Sequence, residues 1–294
     1  MSVSIVCTSY NYERYIKHTI NSVLNQYNGD WEMVIVDDGS SDNSVKVIED
    51  FAKDDSRIKL YTHENHQNKG IIESLRLGVS KASHEWIIFL ESDDMIKPEY
   101  ITEKLRLLEK NPELDMIFSG IEILGTPVVA ANFANFFHKR NVLIKDGFKI
   151  ENMLEFNFVP TFSCVMIKKS VFESLNFDTP MPQNLDWWLW AQVLSNYKCA
   201  YLNKELTVWR MHDNSYISTV DKTKMLGFKK NVFDLLFAPM GKGDGKNILN
   251  AYLFLEKDWV NKYFHTLATH LRFRALNALN KINKCKPDFY YYEN

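Results

Sequence analysis

Four groups of residues in this sequence carry the means for chemistry. Asp93-Asp94 closes the apolar run Trp86-Ile87-Ile88-Phe89-Leu90, within Glu91-Ser92-Asp93-Asp94. Adjacent carboxylates repel each other unless a cation lies between them. A hard divalent ion, Mg²⁺ or Mn²⁺, typically takes one or two carboxylates together with substrate phosphates. Asp37-Asp38-Gly39-Ser40-Ser41-Asp42 reads as a tight turn into a helix, with Gly for a positive φ and Ser or Asp as the cap. Asp38, an acceptor-only group, suits the imide N–H of a nucleobase, and Tyr10 is suited to stack on that base. Asp186, in Asn184-Leu185-Asp186-Trp187-Trp188-Leu189-Trp190, is a carboxylate far from Asp94 in sequence with no cation beside it. Arg210-Met211-His212 sets a guanidinium two residues from an imidazole. Each group has a plainer reading. Asp93 and Asp94 suit the start of the helix that Pro98 opens, residues 37–42 need only be a well-made turn, Asp186 suits the N-cap of a Trp-rich helix, and His212 suits a structural role.

The elements that must position these groups follow from periodicity. Val3-Ser4-Ile5-Val6-Cys7, Met33-Val34-Ile35-Val36, Ile58-Lys59-Leu60-Tyr61 and Trp86 to Leu90 are short apolar runs, the pattern of strands buried on both faces of a parallel sheet. Between them Tyr15, Ile16, Ile20, Val23 and Leu24 form one helical stripe, Val45, Ile48 and Phe51 a second, and Ile71, Leu75 and Val79 a third. This alternation predicts right-handed βαβ units and an open α/β sheet, mostly parallel and flanked by helices. Ligands of such sheets bind beyond the carboxyl ends of the strands, where Thr8-Ser9-Tyr10-Asn11, Asp37 to Ser40 and Glu91 to Asp94 fall. Further on, Met116 to Phe118 and Ser163 to Ile167 read as strands and Asp186 to Leu194 as a helix. Leu124 to Phe137 has no clear form. From about Asp221 the chain reads as helical, with Gly241 to Lys246 as a loop rather than a phosphate-binding one, since the spacing fails and Asn247 replaces Ser or Thr.

Composition narrows the classes. Of 294 residues, 46% are hydrophobic and 24% charged, which excludes a disordered chain. Lys plus Arg number 35 against 37 for Asp plus Glu, so the basic excess of a nucleic-acid binder is missing. Cys7, Cys164, Cys199 and Cys285 form no C-x-x-C pair and read as thiols of a reducing compartment. Met1 to Cys7 lacks a signal-peptide pattern, and no stretch reaches the ~18–20 apolar residues of a membrane span. The expectation is a cytoplasmic protein.

Three segments, in order, resemble the N-terminal motifs of family 2 glycosyltransferases: Ser4 to Asn11, Val34 to Asp42, and Phe89 to Asp94. The resemblance runs over roughly the first 215 residues. It implies the GT-A fold, inverting transfer and a nucleotide-sugar donor. By it, Thr8, Tyr10, Asn11 and Asp38 hold the nucleoside. Asp93 and Asp94 match the acidic metal-binding motif, Asp94 being the more direct ligand of Mn²⁺ or Mg²⁺ and Asp93 also facing the nucleotide. Asp186 matches the general base, and Arg210 and His212 match a later element that faces the diphosphate or metal. The motifs also depart from the pattern. Glu91 stands where Asp is usual, Leu185 stands where Glu usually precedes the base, and Arg76 is one place off the family's Arg-Asn pair, leaving Lys69 as the substitute phosphate contact.

The chemistry requires such groups whatever the family. Displacing a nucleoside diphosphate from an anomeric carbon builds charge on the leaving group, which a divalent ion and Arg210 stabilise. The incoming hydroxyl loses a proton to a carboxylate set apart from the metal, the role that suits Asp186. A hydride-transferring enzyme would need Gly-x-Gly-x-x-Gly after the first strand, and the turn here has no glycine. A nucleotidyltransferase would want a basic, Gly-rich loop there. A glycosidase has no need of a nucleoside cradle. The rival reading is a non-catalytic glycan- or nucleotide-binding protein with a degenerate site. Residues 1–220 are expected to form the catalytic domain, the nucleotide-sugar half over about 1–115 and the acceptor half over about 116–220, followed by a helical C-terminal extension over 221–294. Acceptor recognition is expected between Gly120 and Phe158. The acceptor is a saccharide, free or lipid-linked, with surface-glycan synthesis the expected setting. The tail carries Lys257, Lys262, Arg272, Arg274, Lys281, Lys284 and Lys286 among apolar residues, a pattern suited to the inner face of a membrane or to a dimer interface.

Overall fold

The structure, a computed structural model, describes residues 1–125, 144–145, 150–154, 157–179, 182–212, 225–237, 272, 275 and 289–292. In order, its strands are β1 (Val3–Ser9), β2 (Trp31–Asp37), β3 (Ile58–Thr62), β4 (Trp86–Glu91), β5 (Met95–Ile96), β6 (Met116–Leu124), β7 (Val165–Lys168), β8 (Cys199–Arg210) and β9 (Phe289–Tyr292). The helices are α1 (Ile16–Leu24), α2 (Ser44–Asp54), α3 (Gly70–Lys81), α4 (Tyr100–Lys110), α5 (Lys169–Glu173), α6 (Leu185–Asn196) and α7 (Met225–Phe237). The sheet order is β3-β2-β1-β4-β7-β6-β8-β5, with β9 also paired to β8. β7 and β5 run against the others. The expected open, mostly parallel α/β sheet is therefore present.

Successive side chains of a strand point to opposite faces, so the unbroken apolar runs feed two cores at once. Val6, Ile87 and Phe89 enter one core with Leu75 and Val79 of α3 and Trp190 of α6. Ile5, Cys7, Ile88 and Leu90 enter the other with Ile16 and Ile20 of α1 and Tyr100, Ile101 and Leu105 of α4. α3 lies close on β1 because Gly78 faces Val6. A Cβ there would come within 2.5 Å of Val6 Cγ1 and 3.4 Å of Val36 Cγ2.

Three strands escape the periodicity reading. β5 has only two residues. β8 is interrupted by the polar run Asn203-Lys204-Glu205, where its parallel pairing with β6 shifts register around Gly120. That irregularity lets one strand serve two neighbours. Cys199 to Leu202 pair with β9, whereas Thr207 and Val208 pair with β5, which carries Arg210 back beside Asp93 and Asp94. β9, Phe289-Tyr290-Tyr291-Tyr292, is a strand where the tail reads as helical. α7 is helical as expected, and its Phe228 packs edge-on against Trp187, ring centroids 5.4 Å apart. The stretch 126–137, the loop Gly241 to Lys246 and the tail lysines lie outside the described residues.

Gly78→Ala is expected to destabilise the protein by about 1–3 kcal/mol, because overpacking against Val6 outweighs the helix-propensity gain of about 1 kcal/mol. Urea denaturation checks this, and the expected sign is a lower midpoint.

Candidate active site

A cavity of about 1090 Å³ opens at the carboxyl ends of β1, β2 and β4. The register puts Thr8 level with Val36 on one side and Glu91 on the other, so the loops after these strands must share one rim.

On the first side, two loops are laced together. Asn11, in the left-handed region at φ 58°, accepts the Ser41 N–H at 2.8 Å through Oδ1, and its own N–H donates to Ser40 Oγ. The Tyr12 N–H donates to Ser44 Oγ and the Glu13 N–H to Asp42 Oδ2. Gly39 has φ 82°, and a Cβ there would meet His66 O at 2.5 Å. Only glycine permits that approach. With the two backbones in contact, Asp38 accepts the Lys69 N–H at 2.7 Å and the Gly70 N–H at 2.9 Å, one on each carboxylate oxygen. His63 Nε2 lies 3.4 Å from Asp38 Oδ1 and 2.9 Å from Ser74 Oγ. Thr8, Tyr10, Asn11 and Asp38 all line the cavity, and the Tyr10 ring is half exposed at its rim. Lys69 is placed differently from the sequence expectation. Its backbone serves Asp38, while its exposed side chain is not part of the cavity wall. Arg76 is also off the wall, paired with Glu73 and lying over Phe177.

The second side is an acidic corner. After β4 the chain turns back on itself, with the Asp94 N–H donating to Glu91 O, and successive residues of that turn face opposite ways. Asp93 reaches the cavity, where its Oδ2 lies 3.0 Å from His212 Nε2. The Arg210 Nε–H donates to Asp93 O at 2.9 Å. Tyr15 supports both side chains, stacked on His212 at 4.9 Å with the Arg210 guanidinium 5.0 Å from its ring centre. Asp94 is placed differently from the sequence expectation. It is 0% exposed, does not line the cavity, and spends its oxygens inside the protein. Oδ1 accepts the Arg210 N–H at 2.9 Å and Oδ2 the Ser163 hydroxyl at 2.6 Å. From there it ties Arg210 and Ser163 to the corner. Glu91 does line the cavity and accepts the Thr161 hydroxyl.

Burial sets the protonation of these acids, and neighbouring charges modify it. Burial, then the Asp93 charge, lifts Glu91 to about 8, against the lowering effect of the Thr161 hydrogen bond. Burial lifts Asp93 as well, partly offset by His212 and Arg210. Burial and the charges of Asp93 and Glu91 push Asp94 well above the usual carboxylate range. Among the described residues no three His, Cys, Asp or Glu side chains converge closely enough to hold a metal ion by themselves.

Asp186 stands on a third part of the wall, in the first turn of α6. Oδ1 accepts the Trp187 N–H at 2.7 Å and Oδ2 the Asn157 Nδ2–H at 2.8 Å. Burial raises its carboxyl to about 7 despite both bonds. Trp187, Trp188 and Trp190 are all buried, and of the three only Trp187 lines the cavity, its Nε1–H donating to Met153 O at 2.8 Å. Leu185 is buried at its cavity-lining position.

Sequence reasoning missed Thr161, Ser163 and Asn157, which orient Glu91, Asp94 and Asp186. They carry no motif and meet their carboxylates from 70, 69 and 29 residues away. It noticed Glu91 only as an irregular residue in the acidic motif, and its place on the wall follows from adjacency to Asp93.

Two loops laced together at the strand ends, an acidic corner and a separate carboxylate share one cavity, and comparison with known proteins gives the chain a family. Residues 4–175 match glycosyl transferase family 2. The chain belongs to that family. An uncharacterized glycosyltransferase of Haemophilus influenzae is 28% identical over 217 residues, 72% of this chain and 66% of that protein. The Escherichia coli UDP-Glc:alpha-D-GlcNAc-diphosphoundecaprenol beta-1,3-glucosyltransferase WfgD is 28% identical over 201 residues, 68% of this chain and 73% of that protein. Among solved structures, Staphylococcus aureus TarS 1–349 in complex with UDP-GlcNAc superposes with a TM-score of 0.62 at 14% identity, covering 96% of this chain and 82% of that one. The mannosyltransferase PcManGT of Pyrobaculum calidifontis, in complex with GDP-Man and Mn²⁺, gives 0.54 at 13% identity over 96% and 87%. The fold is accordingly the GT-A type that the motifs implied.

Asp94→Ala is expected to cost about 1–3 kcal/mol by stranding the half-buried Arg210 N–H and the buried Ser163 hydroxyl. Asp94→Asn, which keeps an acceptor for Arg210, is expected to recover most of that in the same chemical denaturation assay.

Proposed function

We propose that the protein transfers a sugar, with inversion, from a nucleoside-diphosphate donor to a hydroxyl of a saccharide acceptor. The observation that carries this reading is Asp186. It stands on the same cavity wall as the acidic corner but is held by other elements and by uncharged partners. A carboxyl raised to about 7 suits a base that works near neutral pH. In this reading the acceptor oxygen gives its proton to an Asp186 carboxylate oxygen as it attacks the anomeric carbon, and Asn157 fixes the direction of that carboxylate.

The donor lies along the first side of the cavity, its base beside Tyr10 and Asp38 and its ribose near Thr8 and Asn11. Each oxygen of Asp38 already takes one backbone N–H, yet a carboxylate has room for about four donors, so the base edge adds to the bonds that hold residues 69–70. An acceptor at that point favours an imide-bearing base, and a UDP-sugar is the reading best supported. TarS with UDP-GlcNAc and the UDP-Glc-dependent WfgD are in line with it. Arg210 and His212 face the diphosphate.

The residues present fit a divalent ion, Mn²⁺ or Mg²⁺. Asp93 offers a carboxylate oxygen toward the cavity in a corner where three acids are buried together, and such ions usually complete their shell with substrate phosphates and water. A bound ion supplies neutralisation of the charge that grows on the departing diphosphate. Asp93 would hold such an ion, Glu91 lines the same corner, and Asp94 keeps Arg210 in place through its backbone N–H. The acceptor half of the cavity, lined by Trp187, Trp209 and Pro160, suits the apolar faces of a sugar. WfgD acts on a lipid-diphosphate-linked sugar, and a lipid-linked saccharide in cell-envelope glycan synthesis is the acceptor class we favour. Among the described residues no helix is long and apolar enough to cross a membrane. On its sequence pattern the basic tail suits a membrane surface or a dimer interface.

Calorimetric titration with UDP, dTDP, GDP and CDP, each with and without Mn²⁺, is expected to show Mn²⁺-dependent binding of UDP. Asp93→Ala is expected to erase that dependence. Silence from all four nucleotides in a folded sample would instead favour the non-catalytic reading. With donor and acceptor in hand, kcat/KM is expected to climb about tenfold per pH unit below 7 and to level off above it, because only ionised Asp186 accepts a proton. Asp186→Asn is expected to lower turnover by about 10²–10⁴-fold and leave UDP affinity nearly unchanged; near-wild-type turnover would remove Asp186 from the mechanism.

A further inference from the structure

Behind the acidic corner lies a lysine that the reaction does not use. Lys104 of α4 is 0% exposed. Its Nζ donates to Tyr100 Oη at 2.7 Å and to Cys164 O at 2.6 Å, and it lies 4.0 Å from the Tyr100 ring centre. Among the described residues no carboxylate pairs with it. Burial drags its amine down to about 7, the mark of a charge placed where it is costly. A methionine of similar length would fill the same space without that cost. What the amine contributes that methionine cannot is a set of N–H donors.

Those donors act on one short piece of chain. Tyr100 Oη donates to Ser163 O at 3.0 Å and lies 3.3 Å from Val165 O. Lys104 takes the carbonyl between them, Cys164 O, and Thr207 Oγ1 donates to Ser163 O at 3.0 Å. Three consecutive carbonyls are thus pinned from behind. The front of the same segment carries the hydroxyls that orient the acids. Thr161 donates to Glu91, Ser163 donates to Asp94 Oδ2, and Ser163 Oγ also accepts the Glu91 N–H at 3.0 Å.

We propose that Lys104, acting with Tyr100, is a positioning residue for the metal- and diphosphate-binding corner, fixing the Thr161–Ser163 hydroxyl pair that aims Glu91 and Asp94. It touches neither donor nor metal, and its effect passes through the backbone of residues 163–165. The inference rests on the nucleotide-and-metal reading of the cavity.

The test is calorimetric UDP binding with and without Mn²⁺ in wild type, Lys104→Met and Tyr100→Phe, with thermal melting of each. The wild-type ratio of affinities tests the reading of the site; no Mn²⁺ enhancement there would overturn that reading and this inference together. Given an enhancement, Lys104→Met is expected to cut it about tenfold or more, the usual cost of losing an outer support of a metal site, with Mn²⁺-free UDP affinity unchanged. Tyr100→Phe is expected to act in the same direction. It keeps the ring in the core and carries the test if Lys104→Met does not fold. A lowered melting temperature with an unchanged Mn²⁺ ratio in the folded variants would assign Lys104 to stability alone and overturn the proposal.

Discussion

The burial of Glu91, Asp93 and Asp94 side by side is the constraint on which the rest of the site depends. Three acids at the end of one buried strand have little water around them; burial raises all three, and neighbouring carboxylate charges add to the rise at Glu91 and Asp94. The fold meets the cost of that burial from several directions. Arg210 arrives on β8, His212 follows it, and Thr161 and Ser163 arrive on the segment before β7. A site held in this way is preorganised for positive charge, and a divalent ion with its phosphates completes it.

Opposite orientations within one turn divide the labour between neighbours. Asp93 is turned outward to the cavity and Asp94 inward to the frame. The two residues look equivalent in sequence, but one carboxylate keeps a face toward the cavity while the other is consumed by an N–H and a hydroxyl. Asp38 combines both parts. It clamps the start of α3 through two backbone N–H groups and still lines the cavity. Asp186 needs none of these charges. Burial and two neutral donors set its carboxyl near neutrality, away from the pull of Arg210.

The sheet makes this arrangement available because β8 changes neighbours along its length. Its first residues extend the sheet toward β9, and its last ones fold back over β5. The break between them spoils the alternation that would mark a strand, so β8 is hard to read from sequence and central to the site. The same holds for β9, whose four aromatic residues become a strand through pairing with β8.

The sequence by itself determined the βαβ order, the buried strands, the two-sided core and the three motifs at the strand ends, because these depend on local periodicity and on short segments whose meaning does not change with context. It also placed Thr8, Tyr10, Asn11, Asp38 and Asp93 at strand ends facing one rim, whereas Asp186, Arg210 and His212 are expected beside them through the family resemblance; all eight line the cavity. Only the tertiary structure decided which of Asp93 and Asp94 faces the cavity, that Lys69 contributes its backbone rather than its ammonium, and that Thr161, Ser163, Asn157 and Lys104 frame the acids. Each of those outcomes depends on the direction of a side chain within a turn, or on hydrogen bonds between segments tens of residues apart, and neither quantity is encoded in the spacing of residue types.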